Sequence, residues 1–141
     1  MQLTSQDFDH NEEMDSKFTC DGDDISPHLK WDDVPNGTKC FAVSCNDPDA
    51  PAGDWVHWYV YNIPDDTREI AQNGPVPGKQ AKNDFGKKEY GGPCPPSGTH
   101  RYFFRVYALD EELKGVKKSN FKKKVKQHTL EKAEMIGLYT R

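Results

Sequence analysis

Two short segments of this chain contain the side chains whose types and spacing could do chemistry. The first is residues 47–51, Asp-Pro-Asp-Ala-Pro, which is followed by His57. The second is residues 94–102, Cys-Pro-Pro-Ser-Gly-Thr-His-Arg-Tyr. Carboxylate and imidazole groups can transfer protons, orient one another or bind an ion, and the neighbouring prolines stiffen the backbone that carries them. We therefore predict that the two segments form two walls of one small polar pocket.

Hydrogen-bond donors dominate this expected pocket. The imidazole rings and a tyrosine hydroxyl would donate, and so would backbone N–H groups around Gly92. Donors that converge from a loop form an anion-binding site. The carboxylate would not touch the anion; it would orient an imidazole and favour its cationic form by raising its pKa. We predict that the ligand-binding residues are Asp47, His57, Cys94, His100 and Tyr102.

Other chemistries remain open as alternatives. Two His and two Asp could bind zinc or iron, but no tight spacing such as HxH or HExxH is present, and we expect no metal and no cofactor. Nucleophilic catalysis needs Ser, Cys or Thr beside a base. Ser97 and Cys94 lie near His100 without a recognisable nucleophile motif. A hydrolase or lyase that uses His57 and His100 as acid and base is the enzyme alternative, although we expect a protein that is not an enzyme.

A purely structural interpretation competes with each of these roles. Asp residues favour turns because they bond to nearby backbone N–H groups, and both aspartates of residues 47–51 could serve that purpose. Both pocket histidines could be satisfied core residues, and Tyr102 could be an aromatic packing residue only.

Apolar runs lead into the two segments. Residues 40–45 form a short strand-like run that ends where residues 47–51 begin. Residues 55–62 are apolar on both faces, as in the central strand of a sandwich. Residues 100–109 form a further clear strand. The two walls of the pocket therefore follow directly from strand ends.

Strand periodicity predicts which side chains meet. Residues two apart in a strand share a face, so His100 and Tyr102 lie together. The same rule places His57 on the face of Trp55, Tyr59 and Tyr61. If the strands lie near each other, imidazoles, a phenol and a carboxylate converge above an aromatic floor, which is the usual form of a ligand site.

The remaining elements frame these strands. Residues 64–88 form a long irregular connection, of a length that is unusual unless it shapes a site. Ser119 is a plausible helix N-cap, followed by a helix over residues 120–127. Residues 133–139 alternate with period two and predict a last strand, with continuation of the helix as the alternative.

Length and composition set the fold class. The chain has 141 residues, enough for one domain of ordinary size spanning residues 1–141. Its 21 Pro and Gly residues and its clustered aromatic residues favour many short strands. The N-terminus lacks the features of a secretory signal, and no run is long enough to span a membrane, so we expect a cytoplasmic protein. The four cysteines are too few and too irregularly spaced for a disulfide scaffold, and none forms a CxxC pair that would indicate a zinc site. We expect reduced thiols, with a Cys20–Cys94 or a Cys40–Cys45 bridge as the alternative.

The charge is distributed unevenly. The net charge is −4, yet residues 1–54 carry thirteen acidic side chains and three Lys, whereas residues 114–126 carry seven Lys and no acid. The basic segment is either a solvated surface or a docking surface for an acidic protein partner. The acidic chain with no base-reading motif argues against nucleic acid as a partner.

Several motifs together resemble the phosphatidylethanolamine-binding protein family, which includes the Raf kinase inhibitor protein, and in particular its bacterial and archaeal branch. The resemblance runs from about residue 3 to residue 141, with the motifs in the same order. They are residues 26–35, residues 47–51, His57-Trp58 with residues 62–64, residues 90–96, residues 98–102 (Gly-Thr-His-Arg-Tyr) and residues 133–137.

This resemblance implies an antiparallel Greek-key β-sandwich with one short helix near the C-terminus. Its pocket would bind phosphate-like groups or phosphoryl headgroups, and the protein would act as a regulatory module of the kinase-inhibitor kind. Residues that brace the pocket would be Asp49, Pro51, Gly92 and Pro95, and a cis peptide before Pro51 would fit a tight turn. The compact chain, without the closing C-terminal helix of eukaryotic members, implies a headgroup-sized ligand. The resemblance to prokaryotic members, which are often dimers, implies a homodimer. The third alternative is an interaction domain with a vestigial pocket.

Overall fold

The computed structural model describes residues 1–141 and contains nine strands and one α-helix. In chain order the strands are β1 Gln2–Thr4, β2 Glu12–Glu13, β3 Leu29–Asp32, β4 Cys40–Asp47, β5 Trp55–Pro64, β6 Glu69–Ile70, β7 Lys79–Ala81, β8 Thr99–Leu109 and β9 Thr129–Thr140. The helix, α1, is Phe121–His128, and a short 3-10 turn covers Ser16–Phe18. The mainly β class predicted from the sequence is confirmed.

The strands form two sheets. One has three strands in the order β1-β3-β6, and the other has six in the order β2-β9-β8-β4-β5-β7. In the larger sheet β8 returns after a long connection to lie beside β4, so that β8-β4-β5-β7 is a Greek-key arrangement. One pair departs from the expected antiparallel pattern, because β2 runs parallel to β9.

The main core lies between the two sheets. Leu29 and Trp31 from the small sheet pack with Phe41, Trp58 and Phe104 from the large sheet, and all five are buried. Apolar side chains alternate along β8 and β9 because successive residues of a strand point to opposite faces. Burial of such large side chains is the main source of stability, at about 1.5–3 kcal/mol each relative to an exposed side chain.

The outer face of the large sheet has a second, smaller core beneath α1. Phe121 and Val125 of the helix are buried, and Phe121 stacks on Tyr59 with ring centroids 3.8 Å apart. The residue before the helix is Asn120 rather than Ser119, and its side chain binds the Lys117 N–H instead of capping the helix. The helix is therefore fixed by packing more than by its N-cap.

The long strands were predicted well and the short ones were not. The runs at residues 40–45, 55–62 and 100–109 correspond to β4, β5 and β8, and the period-two segment at residues 133–139 lies within β9. Both β6 and β7 lie inside the connection that the sequence presents as irregular. Strands of two or three residues leave no periodic signal because their pairing depends on neighbours far away in sequence.

Candidate functional site

A pocket of about 320 Å³ opens at the ends of β4 and β8. It brings together all five residues that were predicted to bind a ligand, and Pro51 and Pro95 line it as well. Neither Asp49 nor Gly92 lines it. The full lining consists of Asp47, Ala50, Pro51, Ala52, Trp55, His57, Phe85, Cys94, Pro95, Pro96, His100 and Tyr102.

The carboxylate of Asp47 orients the ring of His100. Asp47 is the last residue of β4, and His100 is the second residue of the adjacent strand β8. His100 Nδ1 lies 2.7 Å from Asp47 Oδ2, and Asp47 Oδ1 accepts the Asp49 N–H at 2.7 Å. Because an ionised carboxylate can only accept, Nδ1 of His100 carries the proton that it donates to Asp47, and Nε2 has no protein partner.

A β-bulge turns His57 toward the pocket. In the pairing of β4 with β5, Cys45 lies opposite Trp58 and Asn46 lies opposite Val56, so His57 is the extra residue of β5. Its ring packs edge-on against Tyr102 at 5.2 Å. The expectation that His57 shares a face with Tyr59 was therefore wrong, since the bulge breaks the strict alternation and Tyr59 lies in the core beneath α1.

His57 is buried and its ring is held by a backbone carbonyl. Nδ1 lies 2.7 Å from the Gly91 carbonyl oxygen, to which it donates its proton. Burial lowers the pKa of His57 below its ordinary value, and this effect outweighs the opposing influence of the Gly91 carbonyl and of Asp47. Near pH 7 the ring is therefore mainly neutral, and Nε2 is an acceptor rather than the donor that we expected.

The hydroxyl of Tyr102 has no hydrogen-bond partner within the protein. Tyr102 is fully buried, its hydroxyl included, and it lines the pocket between the two histidines. Burial and the charge of Asp47 raise the pKa of Tyr102, so the phenol keeps its proton. The Asp47 carboxylate lies close enough to act on the hydroxyl, but the two form no hydrogen bond of ordinary geometry. An unpaired buried hydroxyl is costly, so Tyr102 is a donor whose hydrogen bond is not satisfied within the protein.

Comparisons with known proteins agree with this architecture. The family model described as phosphatidylethanolamine-binding protein matches residues 4–140. The chain belongs to the phosphatidylethanolamine-binding protein family. A protein of Aquifex aeolicus called UPF0098 protein is 48% identical and the match covers 100% of this chain and 89% of the relative. One of the same name from Methanothermobacter thermautotrophicus is 45% identical over 100% of this chain and 99% of its own length.

Two solved structures share the fold. The phosphatidylethanolamine-binding protein homologue CT736 of Chlamydia trachomatis has a TM-score of 0.93 and 35% identity, covering 99% of this chain and 97% of its own. YbcL of Escherichia coli, described as a member of the mammalian PEBP family, has a TM-score of 0.93 and 33% identity, covering 99% and 98%. The resemblance seen in the motifs is confirmed at the level of family and fold.

Cys94 lines the pocket and forms a disulfide bond with Cys20. The expectation of reduced thiols was wrong for this pair, because the fold brings together two cysteines 74 positions apart that show no local spacing signal. Cys40 and Cys45 are buried free thiols, and burial raises the pKa of Cys40 to about 11. Disulfides are typical of oxidising compartments, so the predicted cytoplasmic location gains no support from the cysteines.

Gly92 shapes the wall behind the pocket but does not donate to it. Its N–H binds Asp24 Oδ1 at 2.7 Å, and a Cβ at this position would collide with the Phe18 carbonyl oxygen. The expected donor near Gly92 is therefore already used. The Cys94 N–H, by contrast, donates to no protein acceptor and remains the backbone donor of this wall.

The remaining bracing residues act indirectly. Asp49 binds the guanidinium of Arg101 through both carboxylate oxygens, at 2.9 Å each, and also accepts the Arg101 N–H. These hydrogen bonds hold the pKa of Asp49 below its ordinary value. The peptide before Pro51 is trans, so the predicted cis bond was wrong. Residues 47–51 are instead stiffened by the two prolines and by the Asp49–Arg101 pair.

Phe85 lines the pocket although sequence reasoning did not single it out. It stands in the connection between β7 and β8, is 43% exposed, and packs edge-on against both His57 and Trp55. The length of the connection had indicated a site-shaping loop, and a lone aromatic residue in that polar loop was the available signal. It supplies an apolar side to the mouth of the pocket.

Two further observations concern metal ligands and membrane-spanning helices. No group of three or more His, Cys, Asp or Glu side chains is arranged to hold a metal ion. None of the helices has both the length and the apolar character required to cross a membrane.

Proposed function

We propose that this family member binds a small anion of the phosphoryl class, as inorganic phosphate or as the headgroup of a phosphorylated compound, and does so without a chemical step. The observation that carries the proposal is the unpartnered, buried hydroxyl of Tyr102, which lies between two imidazoles whose Nδ1 atoms are already fixed. A ligand oxygen that accepts from this hydroxyl would relieve the unpaired donor.

The donors and acceptors suit a partly protonated anion. The Tyr102 hydroxyl and the Cys94 N–H donate, while neutral His57 offers Nε2 as an acceptor. A phosphate or phosphomonoester that carries an O–H can donate to that nitrogen and accept from the other two groups. His100 presents its own Nε2 on the opposite side. Binding of a fully deprotonated anion would instead require that an imidazole take up a proton.

The dimensions favour a headgroup rather than a lipid chain. A volume of about 320 Å³ lies at the lower end of the range for small-molecule pockets. Its apolar side, formed by Trp55, Phe85 and prolines, could contact the short carbon skeleton of a phosphorylated compound. An acyl chain would extend beyond this volume.

An enzyme is the first alternative, with His57 and His100 as acid and base. The pocket offers no free protein nucleophile, because Cys94 is in the disulfide and Ser97 does not line it. Water would have to act as the nucleophile, activated by His100, whose Nδ1 is bound to Asp47 as in general-base dyads.

Thermal unfolding in the presence of ligand tests the binding proposal. Phosphate and phosphoethanolamine at millimolar concentration should raise Tm, and His100→Ala should remove the increase. Lys30→Glu, at an exposed residue of the central strand of the small sheet, is a control that changes charge outside the pocket lining. Absence of any shift for the unaltered protein would refute the proposal. Hydrolysis of a generic phosphate or carboxylate ester that is lost in His57→Ala would favour the enzyme instead.

A groove lined by lysines supports a second candidate function, an interaction with an acidic protein partner such as a kinase. A groove of about 480 Å³ beside β7 is lined by Lys82, Lys88, Lys117 and Lys118 and by no carboxylate. Only Lys118 among them forms an ion pair, with Asp84 at 2.9 Å. A Lys117→Glu, Lys88→Glu double variant should lose partner capture while keeping the phosphate-dependent Tm shift, and Lys30→Glu should keep both.

Homodimer formation is a separate proposal. Multi-angle light scattering across a tenfold concentration range should give twice the 16.1 kDa mass of the chain. A constant mass of one chain would refute it.

A further inference from the structure

The pocket wall at residues 94–97 has almost no backbone support of its own. No backbone hydrogen bond involves any residue from Cys94 to Ser97, and two of the four are prolines without an N–H. Backbone hydrogen bonds are present on both sides of this segment: the Pro93 carbonyl accepts the Cys20 N–H, and Gly98 pairs with Arg141. Cys94 itself is held by its disulfide to Cys20 and, through the Pro93 carbonyl of the same peptide group, by the Cys20 N–H.

The other end of this link is firmly anchored. Thr19 is buried, and its hydroxyl donates to the Ser16 carbonyl and accepts the Asp21 N–H. The Gly22 N–H binds the Thr19 carbonyl. Cys20 therefore stands in a rigid turn, and the disulfide transfers that rigidity across to the pocket wall.

The two sulfur atoms are accessible and lie beside a cation. Both Cys20 and Cys94 are exposed. Arg141 Nη1 lies 3.6 Å from Cys94 Sγ and 4.0 Å from Cys20 Sγ, and Arg141 is itself held by Asp21 at 3.0 Å. A neighbouring cation stabilises a thiolate, which makes a cysteine a better leaving group in thiol–disulfide exchange.

We propose that the Cys20–Cys94 disulfide is a thiol–disulfide exchange site that sets the ligand affinity of the pocket. In the oxidised protein the disulfide holds Cys94 in the pocket wall, where its N–H has no protein acceptor. Reduction leaves this N–H held only through the hydrogen bond of the Pro93 carbonyl in the same peptide group, loosens residues 94–97 and weakens anion binding, while the two sheets remain intact. This inference rests on the proposed function, because it concerns the same pocket.

The exchange needs a reductant of the dithiol class. One thiolate of the dithiol attacks a protein sulfur, forms a mixed disulfide and expels the other cysteine as a thiolate beside Arg141. The second thiol of the reductant, as its thiolate, then attacks the mixed disulfide, expels the remaining cysteine and closes a cyclic disulfide. In total, two electrons and two protons pass from the dithiol to the protein, which gains two thiols while the reductant is oxidised.

Calorimetric titration of phosphate into the oxidised and the dithiothreitol-reduced protein tests the proposal. The reduced protein should bind phosphate about tenfold or more weakly, as expected for loss of a positioned donor to an anion. Reoxidation should restore the affinity. Cys20→Ser should bind as weakly as reduced protein and should not respond to the reductant. Arg141→Ala should slow the reduction, which is followed by thiol titration. It should change the phosphate affinity of the oxidised protein by a smaller factor than it changes the rate of reduction.

The outcomes separate this inference from the proposed function. No phosphate binding by the oxidised protein would overturn the proposed function itself. Equal affinities of the oxidised and reduced forms would overturn only the exchange proposal. Far-UV circular dichroism must show that the reduced protein keeps its β structure, since global unfolding on reduction would also contradict a local release. If Cys20→Ser fails to fold, the reduced unaltered protein decides the question.

Discussion

His100 Nδ1 and Asp47 Oδ2 lie 2.7 Å apart, although the two residues are 53 positions apart in the chain. They meet because β4 and β8 are adjacent antiparallel strands, so that the end of one reaches the start of the other. Both side chains are buried, with 9% and 4% of their side-chain surface exposed. The pair fixes the His100 ring and couples the pocket to the centre of the large sheet.

Asp47→Ala should destabilise the protein, because the buried Nδ1–H of His100 and the Asp49 N–H both lose their acceptor. The expected decrease in the free energy of unfolding is about 1–3 kcal/mol, measured by urea denaturation at pH 7.5. Asp47→Asn keeps a carbonyl oxygen for His100 and should lose less. Equal losses in the two variants would contradict this assignment of the interaction.

Tyr102→Phe should have opposite effects on stability and on binding. The hydroxyl is buried without a partner, so its removal should leave the free energy of unfolding unchanged or slightly higher. Phosphate affinity should fall by about tenfold or more, as expected for the loss of a hydrogen bond to a charged ligand. A clear loss of stability with unchanged phosphate affinity would instead assign the hydroxyl a structural role.

The protonation of His57 predicts selectivity among anions. At pH 7.5 its Nε2 is an acceptor, so phosphate, whose two ionic forms at this pH both carry an O–H, should bind more tightly than sulfate, which carries none. At pH 5.5 the His57 ring can bind a proton when an anion is present, so the difference between the phosphate and sulfate affinities should become smaller. Calorimetric titrations with both anions provide the comparison, and His57→Gln should abolish most of the preference. Equal affinities at pH 7.5 would contradict the neutral His57.

The same residue should make the folded protein sensitive to mild acid. The pKa of His57 is lower in the folded protein than its ordinary value of about 6.5, mainly because the ring is buried and despite Asp47 and Asp24 nearby. The unfolded chain therefore binds the proton more readily. This contribution to stability is fully present above about pH 6.5 and is lost as the pH falls through the folded-state pKa. Urea denaturation between pH 7.5 and 5 should show a weaker pH dependence for His57→Gln than for the unaltered protein.

Gly92→Ala should destabilise the pocket wall strongly. The added Cβ would overlap the Phe18 carbonyl oxygen, and the contact between Gly92 and Asp24 would have to shift. We expect a loss of about 2 kcal/mol or more in the free energy of unfolding, in the range of overpacked sites. Gly53→Ala is the matched control, because a Cβ there meets no atom within 4 Å and only the positive φ of 102° adds strain. If Gly92→Ala lowered the free energy of unfolding less than Gly53→Ala, the close approach of Gly92 to the Phe18 carbonyl oxygen would be contradicted.

Sequence reasoning was correct for features that depend on local patterns. Alternation along residues 100–109 correctly placed His100 and Tyr102 on one face, because side chains of a strand alternate strictly when the ladder is regular. The same rule failed at His57, where a bulge adds one residue to β5. A bulge depends on pairing with a partner strand, so the sequence of β5 alone contains no signal of it.

By itself the sequence determined the β-rich class, the long strands, the family and the set of residues that gather at the pocket, since these depend on local periodicity, turn residues and recognisable motifs. Only the tertiary structure decided which groups in the pocket are free. Asp24 occupies the Gly92 N–H, Gly91 holds His57 in a tautomer that makes Nε2 an acceptor, and Cys20 fixes Cys94. Each of these contacts joins residues from separate parts of the chain, and hydrogen bonding and covalent linkage across such distances are products of packing rather than of local sequence.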